Sequence, residues 1–195
     1  DLGALYFLDS SGVMRTGWQS VDGSWYFFDD SGAMVTGWQL IDGAWYCFDI
    51  SGAMQSGWLN SDGTWYYLDG SGVMKTGWLA LGDTWYFFDP SGAMVTDWRL
   101  IDGAWYHFDD AGSMQTGWVN LGGTWYWFDA SGAMATGWLS TGGAWYYLSD
   151  SGAMATGWKW IDGSCYYFDG SGVMQTDKRI DGSYVDLDGR WVQNA

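Results

Sequence analysis

The chain has 195 residues, a formal net charge of −16 at pH 7, 21% aromatic residues and 15% charged ones. That charge argues against nucleic acid, whose phosphates need Lys and Arg, and against an anionic membrane surface. All 23 acidic residues are Asp and none is Glu, so a good helix former is missing while turn residues abound, and short strands joined by tight turns are expected.

From Asp1 the sequence opens into a partial repeat, residues 1–16, with Leu5 where later copies carry Trp. Full units then follow at 17–36, 37–56, 57–76, 77–96, 97–116, 117–136, 137–156 and 157–176, without insertion or deletion. An unbroken period of this kind marks a repeat array, so residues 1–195 are read as one array in which each unit contacts its neighbours. Tyr recurs from Tyr6 to Tyr166, Met from Met14 to Met174, and Trp in two series, from Trp18 to Trp158 and from Trp25 to Trp145.

Within a unit, Trp18 to Val21 and Ser24 to Phe28 read as strands around Asp22-Gly23, a two-residue turn of type I′. Gly82-Asp83, Gly122-Gly123 and Gly142-Gly143 replace it in later copies and also tolerate positive φ. A second reversal follows at Asp29-Asp30-Ser31-Gly32. The recurrent Asp there is read as a turn residue, since one carboxylate per turn does not assemble a calcium site. The segment 177–195 is a degenerate cap: Asp177-Lys178 replaces Gly-Trp, the turn Asp181-Gly182 comes one residue early, and Tyr184 to Trp191 reads as a more polar final hairpin. This end reads as natural, whereas the start reads as cut from something longer. No signal peptide and no apolar run of membrane-spanning length are present in the sequence. Cys47 and Cys165 lie six repeats apart and are expected as packing variants, too distant for a disulfide.

Alternation along the strands puts Trp18, Trp25 and Phe27 on one face of the hairpin and Val21, Tyr26 and Phe28 on the other. Both faces are apolar, so stacking must cover at least one of them. The face with Tyr26 varies little and is expected to be core. Residue 27 and its equivalents are usually aromatic but change freely, which suits a pocket wall; the Trp pairs are equally consistent with plain core packing. Such a pocket, aromatic with a Met and without repeated Lys, Arg or Glu, suits a quaternary ammonium held by cation–π attraction. A sugar stacked on Trp is the rival ligand.

The unit GWxxxxGxWYxFxxxGxMxT closely resembles the choline-binding, or cell-wall-binding, repeat of bacterial and phage lytic enzymes and surface proteins, over about 175 of the 195 residues. Related repeats occur in the glucan-binding regions of glucansucrases. The resemblance implies an all-β fold, a superhelical β-solenoid of stacked hairpins, with each choline site between consecutive hairpins. Two Trp would come from one hairpin, a third aromatic from the next, and a Met from the floor. Carried onto this sequence, the sites are Trp38, Trp45, Met54 and Tyr67; Trp118, Trp125, Met134 and Tyr147; and Trp138, Trp145, Met154 and Tyr167. Trp98, Trp105, Met114 and Trp127 form a variant, and Trp58, Trp65 and Met74 close with Phe87. Trp78, Trp85 and Met94 meet His107, and Trp18, Trp25 and Met34 meet Cys47, so both of these lack a normal third ring. Trp158 with Cys165 is not expected to form a site.

His107, the only histidine, is read as a substituted wall residue, because catalysis needs distinct partners that a uniform repeat does not assemble. No catalytic residue, metal or cofactor is expected. The resemblance implies a non-catalytic module, secreted or at the bacterial cell surface, whose partner is choline-bearing teichoic acid or another cell-wall polymer. A glucan-binding module and a structural spacer remain the alternatives.

Overall fold

The computed structural model describes residues 3–193, and every regular element among them is a β-strand. The chain divides into two compact units between Val95 and Thr96, one residue from the expected boundary between the fourth and fifth full repeats. Hairpins 17–28, 37–48, 57–68 and 77–88 belong to the first unit, and hairpins 97–108, 117–128, 137–148 and 157–168 to the second.

Each hairpin pairs two five-residue strands, such as Gly17–Val21 with Ser24–Phe28, in the register the turn dictates: Val21 opposite Ser24, Ser20 opposite Trp25 and Trp18 opposite Phe27. Asp22 (φ 49°) and Gly23 (φ 84°) both take positive φ, as a type I′ turn requires. At Gly82-Asp83 only the glycine does so (φ 63°), which fits the related type II′ turn.

The second reversal is fixed by its aspartate. Asp29 Oδ1 accepts from Ser31 N (2.9 Å), Ser31 Oγ (2.6 Å) and Ala33 N (2.9 Å), while Gly32 N donates to Asp29 O (2.8 Å). The same set recurs at Asp49, Asp69, Asp89, Asp129 and Asp169. These bonds favour the charged carboxylate, with the serine hydroxyl contributing most, and hold Asp29, Asp49, Asp69, Asp129 and Asp169 below the ordinary carboxylate range.

The connector that follows ties neighbouring hairpins together. Met54 N donates to Trp25 O of the hairpin before its own (2.8 Å), whereas the adjacent Gln55 N donates to Cys47 O of its own hairpin (2.8 Å). Alternate connector residues therefore bond backwards and inwards. The methionine side chain runs under the turn glycine of the next repeat: a Cβ on Gly52 would lie 2.3 Å from Met34 Sδ. Gly52 also sits at φ +80°, so a side chain is excluded there twice over.

Each unit has its own core column of one residue per hairpin, Phe28, Phe48, Leu68 and Phe88 in the first and Phe108, Phe128, Leu148 and Phe168 in the second, none more than 5% exposed. Ile41, Ile101 and Ile161 join these columns. At the end, Lys178–Ile180 and Ser183–Val185 form the shortened hairpin, and Trp191–Val192 adds a third strand. The expected final hairpin from Tyr184 to Trp191 is thus the second half of a three-stranded cap, because the turn at Asp181-Gly182 already closes a hairpin of its own.

Two predictions follow from the turns. Gly52→Ala should destabilise the chain by about 1 to 3 kcal/mol through positive φ and the displaced Met34, while Gly170→Ala, at ordinary φ in open space, should change stability by less than about 0.5 kcal/mol; thermal melts by circular dichroism compare them. The turn aspartates titrate at lower pH folded than unfolded. Their stabilisation is therefore complete above the unfolded carboxylate value, about pH 4, and is lost as pH falls through the lower folded values. Melting temperature should accordingly drop steadily from about pH 5 to about pH 2; a flat profile would contradict this.

Candidate functional site

Trp18 and Trp25 lie on the same hairpin face two positions apart across the register, and their rings meet edge to face with centroids 6.3 Å apart at 83°. The next hairpin turns its opposite face toward them. Its Tyr46 approaches Trp18 at 4.9 Å and 66°, and its Phe48 at 5.7 Å and 38°. Phe48 is buried and Tyr46 partly so, but Trp25 stays 47% exposed. Met54, fixed by its bond to Trp25 O, closes the floor. Trp18, Trp25, Tyr46, Met54, Gly70 and Ser71 line one open cavity of about 400 Å³. It draws on three successive repeats and the connectors between them.

The arrangement recurs. Trp98, Trp105, Tyr126, Met134, Asp150 and Ser151 line a cavity of about 360 Å³. A third, of about 510 Å³, is lined by Trp138, Trp145, Tyr166, Met174 and Thr176 together with Leu187, Asp188 and Arg190 of the cap. The same contacts join Trp38 to Tyr66 (4.9 Å), Trp58 to Tyr86 (4.9 Å) and Trp118 to Tyr146 (4.8 Å). Met74, Met94 and Met154 donate their backbone N–H to Trp45, Trp65 and Trp125 in turn.

Two of the residues named for each expected cage lie elsewhere than beside its Trp pair. Tyr67 stands opposite Trp58 in its own hairpin, ring centroids 5.3 Å apart, and points toward the following hairpin, not back to Trp38. Phe27, Phe87, Trp127, Tyr147 and Tyr167 occupy the same place beside Trp18, Trp78, Trp118, Trp138 and Trp158. Cys47 does so beside Trp38 and is buried. The ring facing back is the preceding residue, the invariant Tyr that the sequence assigns to the core. Methionine moves by one repeat: Met54 belongs with Trp18 and Trp25, Met74 with Trp45, Met94 with Trp65, Met134 with Trp105, Met154 with Trp125 and Met174 with Trp145. Met34 instead bonds Leu5 O. The Trp18 and Trp25 pair, expected to make a weaker cage with Cys47, has Tyr46 in the lining of its cavity instead. Trp78 and Trp85 form the same indole pair as the others, at 6.3 Å.

His107, expected to close the Trp78 and Trp85 cage, stands opposite Trp98 of its own hairpin at 5.2 Å, where other copies carry an aromatic ring. Burial pushes its imidazole pKa down, against the pull of Asp97, whose carboxylate is 3.5 Å from Nε2. Nδ1 is buried without a hydrogen-bond partner. Asp97 itself takes φ 64° where most copies have glycine, a conformation Asp tolerates better than most residues.

Comparison with known proteins places this geometry. The choline-binding repeat family matches residues 3–36, 15–56, 35–77, 55–97, 75–115, 95–130 and 115–156, and a second choline-binding repeat family matches 158–191. CbpJ from Streptococcus pneumoniae TIGR4 superposes with a TM-score of 0.90 at 37% identity, over 97% of this chain and 76% of that one. Choline binding protein F from Streptococcus pneumoniae, solved in the presence of a peptidoglycan analogue, gives a TM-score of 0.85 at 36% identity over the same shares. The choline-binding domain of CbpL from Streptococcus pneumoniae gives 0.69 at 31% identity, over 93% of this chain and 99% of that one. No curated protein matches. Repeat by repeat from residue 3 to residue 191, this chain belongs to the choline-binding repeat family.

Proposed function

We propose that this chain is a non-catalytic attachment module that holds choline borne by teichoic acids of a bacterial cell wall, and so works at the cell surface. One observation carries the reading: in every cage the second Trp keeps close to half its surface in water, 47% at Trp25, 45% at Trp105 and 48% at Trp145, beside a Tyr and a Met. Core packing alone gives no reason to leave so much indole exposed at each repeat.

Two indoles at a steep angle, with a tyrosine ring against one of them, make a concave site with π faces on several sides. A quaternary ammonium fits it, each ring contributing about 0.5 to 2 kcal/mol. A flat sugar ring uses one platform and needs placed hydrogen-bonding groups beside it. The rings of the Trp18 cage are joined only by Met54, Gly70 and Ser71. A single cage is expected to bind weakly, on the order of 1 mM or about −4 kcal/mol. Several cages on one chain, facing a polymer with many choline groups, raise overall avidity by about 10²-fold or more. General acid–base or nucleophilic catalysis requires differentiated partners at one place, and the cages repeat one aromatic set.

Titration with choline chloride should give a saturable change in tryptophan fluorescence that tetramethylammonium reproduces and sodium chloride and dextran do not. Failure of both ammonium salts would sink the choline reading, and a response to dextran alone would transfer the module to glucans. At one cage, Tyr66→Leu should weaken choline binding by about 2-fold to 30-fold, the loss of one ring, as followed by the Met74 methyl resonance. Tyr67→Leu should alter the same resonance's titration less than about 2-fold, because that ring faces the next hairpin.

A further inference from the structure

One repeat carries a group that the others lack. Residue 27 and its equivalents stand beside the first Trp of their own hairpin, as Phe27 does beside Trp18 at 5.2 Å and 73°. His107 takes that place beside Trp98, at 5.2 Å and 81°, with Phe128 of the next hairpin 6.2 Å away. His107 does not line the Trp98 cavity, but Trp98 does, so the imidazole rests against one of the cavity's walls. It belongs to the chain's only histidine, and an ordinary imidazole changes charge between pH 5 and 8. Cys47, the other non-aromatic occupant of this position, keeps a neutral thiol, because burial and then Asp49 push its pKa up.

Nε2 lies 3.5 Å from Asp97 Oδ1, so the neutral ring does best with its proton on Nε2, toward the carboxylate. Nδ1 is buried without a hydrogen-bond partner. In imidazolium both nitrogens are donors, and Nδ1 would become a buried N–H with no acceptor, at its full desolvation penalty. Asp97 is held for this ring at a cost: it takes φ 64° where Gly17, Gly37, Gly57 and Gly77 supply positive φ freely. Asp177, at φ 46° in the same glycine position, also meets a polar ring, and its Oδ1 accepts from the Tyr184 hydroxyl (2.6 Å). Each strained carboxylate is thus matched to a ring on the facing strand. Asp109 and Asp110, in the turn that follows, join Asp97 in favouring the protonated imidazole, and burial outweighs all three. The next hairpin faces the imidazole with Phe128 and Trp98 with Tyr126, while Asp150 stands at the rim of the cavity. Arg99, across from Tyr106, alternates onto the opposite face.

We propose that His107 and Asp97 form a proton-operated switch on the Trp98 cavity, in which protonating the imidazole weakens that cavity and leaves the Trp18 cavity unchanged. The protonated ring has two courses. If it stays, a full positive charge lies against an indole that lines the cavity and opposes a bound cation. If it swings toward water to satisfy Nδ1, Trp98 loses its edge-to-face partner and the wall loosens. Both courses weaken the hold on a quaternary ammonium, so the switch rests on the choline reading above. The sign follows from burial, which holds the imidazole below its ordinary value of about 6.5. The neutral, binding form is therefore complete above that pH and is lost as pH falls through the lower folded value. Turn aspartates such as Asp129 and Asp169 are held below the ordinary carboxylate range, so the turns keep their bonds in this window.

The test uses the full chain labelled with ¹³C in the methionine methyls and in the imidazole, whose resonance needs no assignment because there is one histidine. Met134 reports the Trp98 cavity, and Met54 the Trp18 cavity, where Phe27 fills the place of His107. Single Met→Leu variants assign the two methyls. Choline chloride is titrated at constant ionic strength at steps from about pH 7.5 to about pH 4.5. The imidazole midpoint should lie below about 6.5, and choline affinity at Met134 should fall about threefold to tenfold across it. At Met54 the change should stay below about 1.5-fold. His107→Phe, which installs the residue of Phe27, should flatten the Met134 profile while choline still shifts that methyl. Asp97→Gly, the residue of most copies, should move the imidazole midpoint further down, because the pull of the carboxylate is lost. A flat affinity at Met134 across the midpoint, or an equal loss at Met54, would overturn the switch. So would a loss that survives in His107→Phe, which would belong to Asp150, or a midpoint that Asp97→Gly leaves unchanged. Each of these results leaves the choline reading standing. Absence of a choline shift at both methionines at about pH 7.5 would overturn the choline reading itself, and the switch with it.

Discussion

A hairpin that is apolar on both faces has nowhere to go but between two others, and the rest of this structure depends on that constraint. The strands are five residues long, too short for a hairpin to stand alone in water. Within each unit, a hairpin's first Trp covers the buried aromatic of the next hairpin, as Trp18 covers Phe48, Trp58 covers Phe88, Trp98 covers Phe128 and Trp138 covers Phe168. The connector locks this order by giving alternate N–H groups to the preceding hairpin and to its own, as Met54 and Gln55 do. The stacking surfaces are unequal in size, however. The buried column takes one residue per hairpin, and the second indole of each Trp pair overhangs it. That overhang, bounded by the next tyrosine and the methionine below, is the proposed binding site. Core and site are one arrangement, and the exposed indole surface follows from the way the core is made.

Near-identical repeats also reveal which departures are tolerated. Ser149 stands where other turns have Asp and keeps the contact to Ala153 N, at 3.2 Å. In hairpin 97–108 two substitutions meet, with Asp97 in a glycine position and His107 in an aromatic one, 3.5 Å apart. The carboxylate partly offsets the cost of burying imidazole, while the strained backbone at Asp97 stays within what Asp accepts. The shortened cap follows the same logic: Asp186 repeats the turn bonds, and Trp191, following Arg190, takes the place that methionine holds after the other turns and meets Trp160 at 6.5 Å.

Much of the fold was legible in the residues. Period, turn chemistry and cross-strand register all follow from Asp-Gly pairs, alternation and the twenty-residue repeat, and the hairpins formed as expected. The Trp pairs were equally plain. The ring that packs against each Trp pair differs from the one read from the sequence, although the information needed was present: Trp18, Trp25 and Phe27 share one face, so a successor stacked in the same orientation must offer its other face, that of Tyr46 and Phe48. Variability at residue 27 and its equivalents suggested a pocket wall, yet those side chains pack beside their own Trp, where Phe, Tyr, Trp, His and Cys all fit. Tyr46 keeps its identity because it serves core and cage together. The methionine offset was not legible, because it depends on how far the connector reaches back, and that distance is set by backbone bonds such as Met54 N to Trp25 O. The charge at each rim was hidden for the same reason, since Asp150 reaches the cage of a Trp two repeats earlier.

The central claim is that a ligand sits among the Trp pair of one hairpin, the invariant tyrosine of the next and the methionine after it. The most direct measurement is an isotope-filtered NOE experiment between the N-methyl protons of choline and the ring and methyl protons of the labelled chain. Cross-peaks from choline to Tyr46, Tyr126 and Tyr166 and to the methyl groups of Met54, Met134 and Met174 are expected. Cross-peaks to Tyr67, Tyr147 and Tyr167 in their place, with none to the invariant tyrosines, would contradict the account.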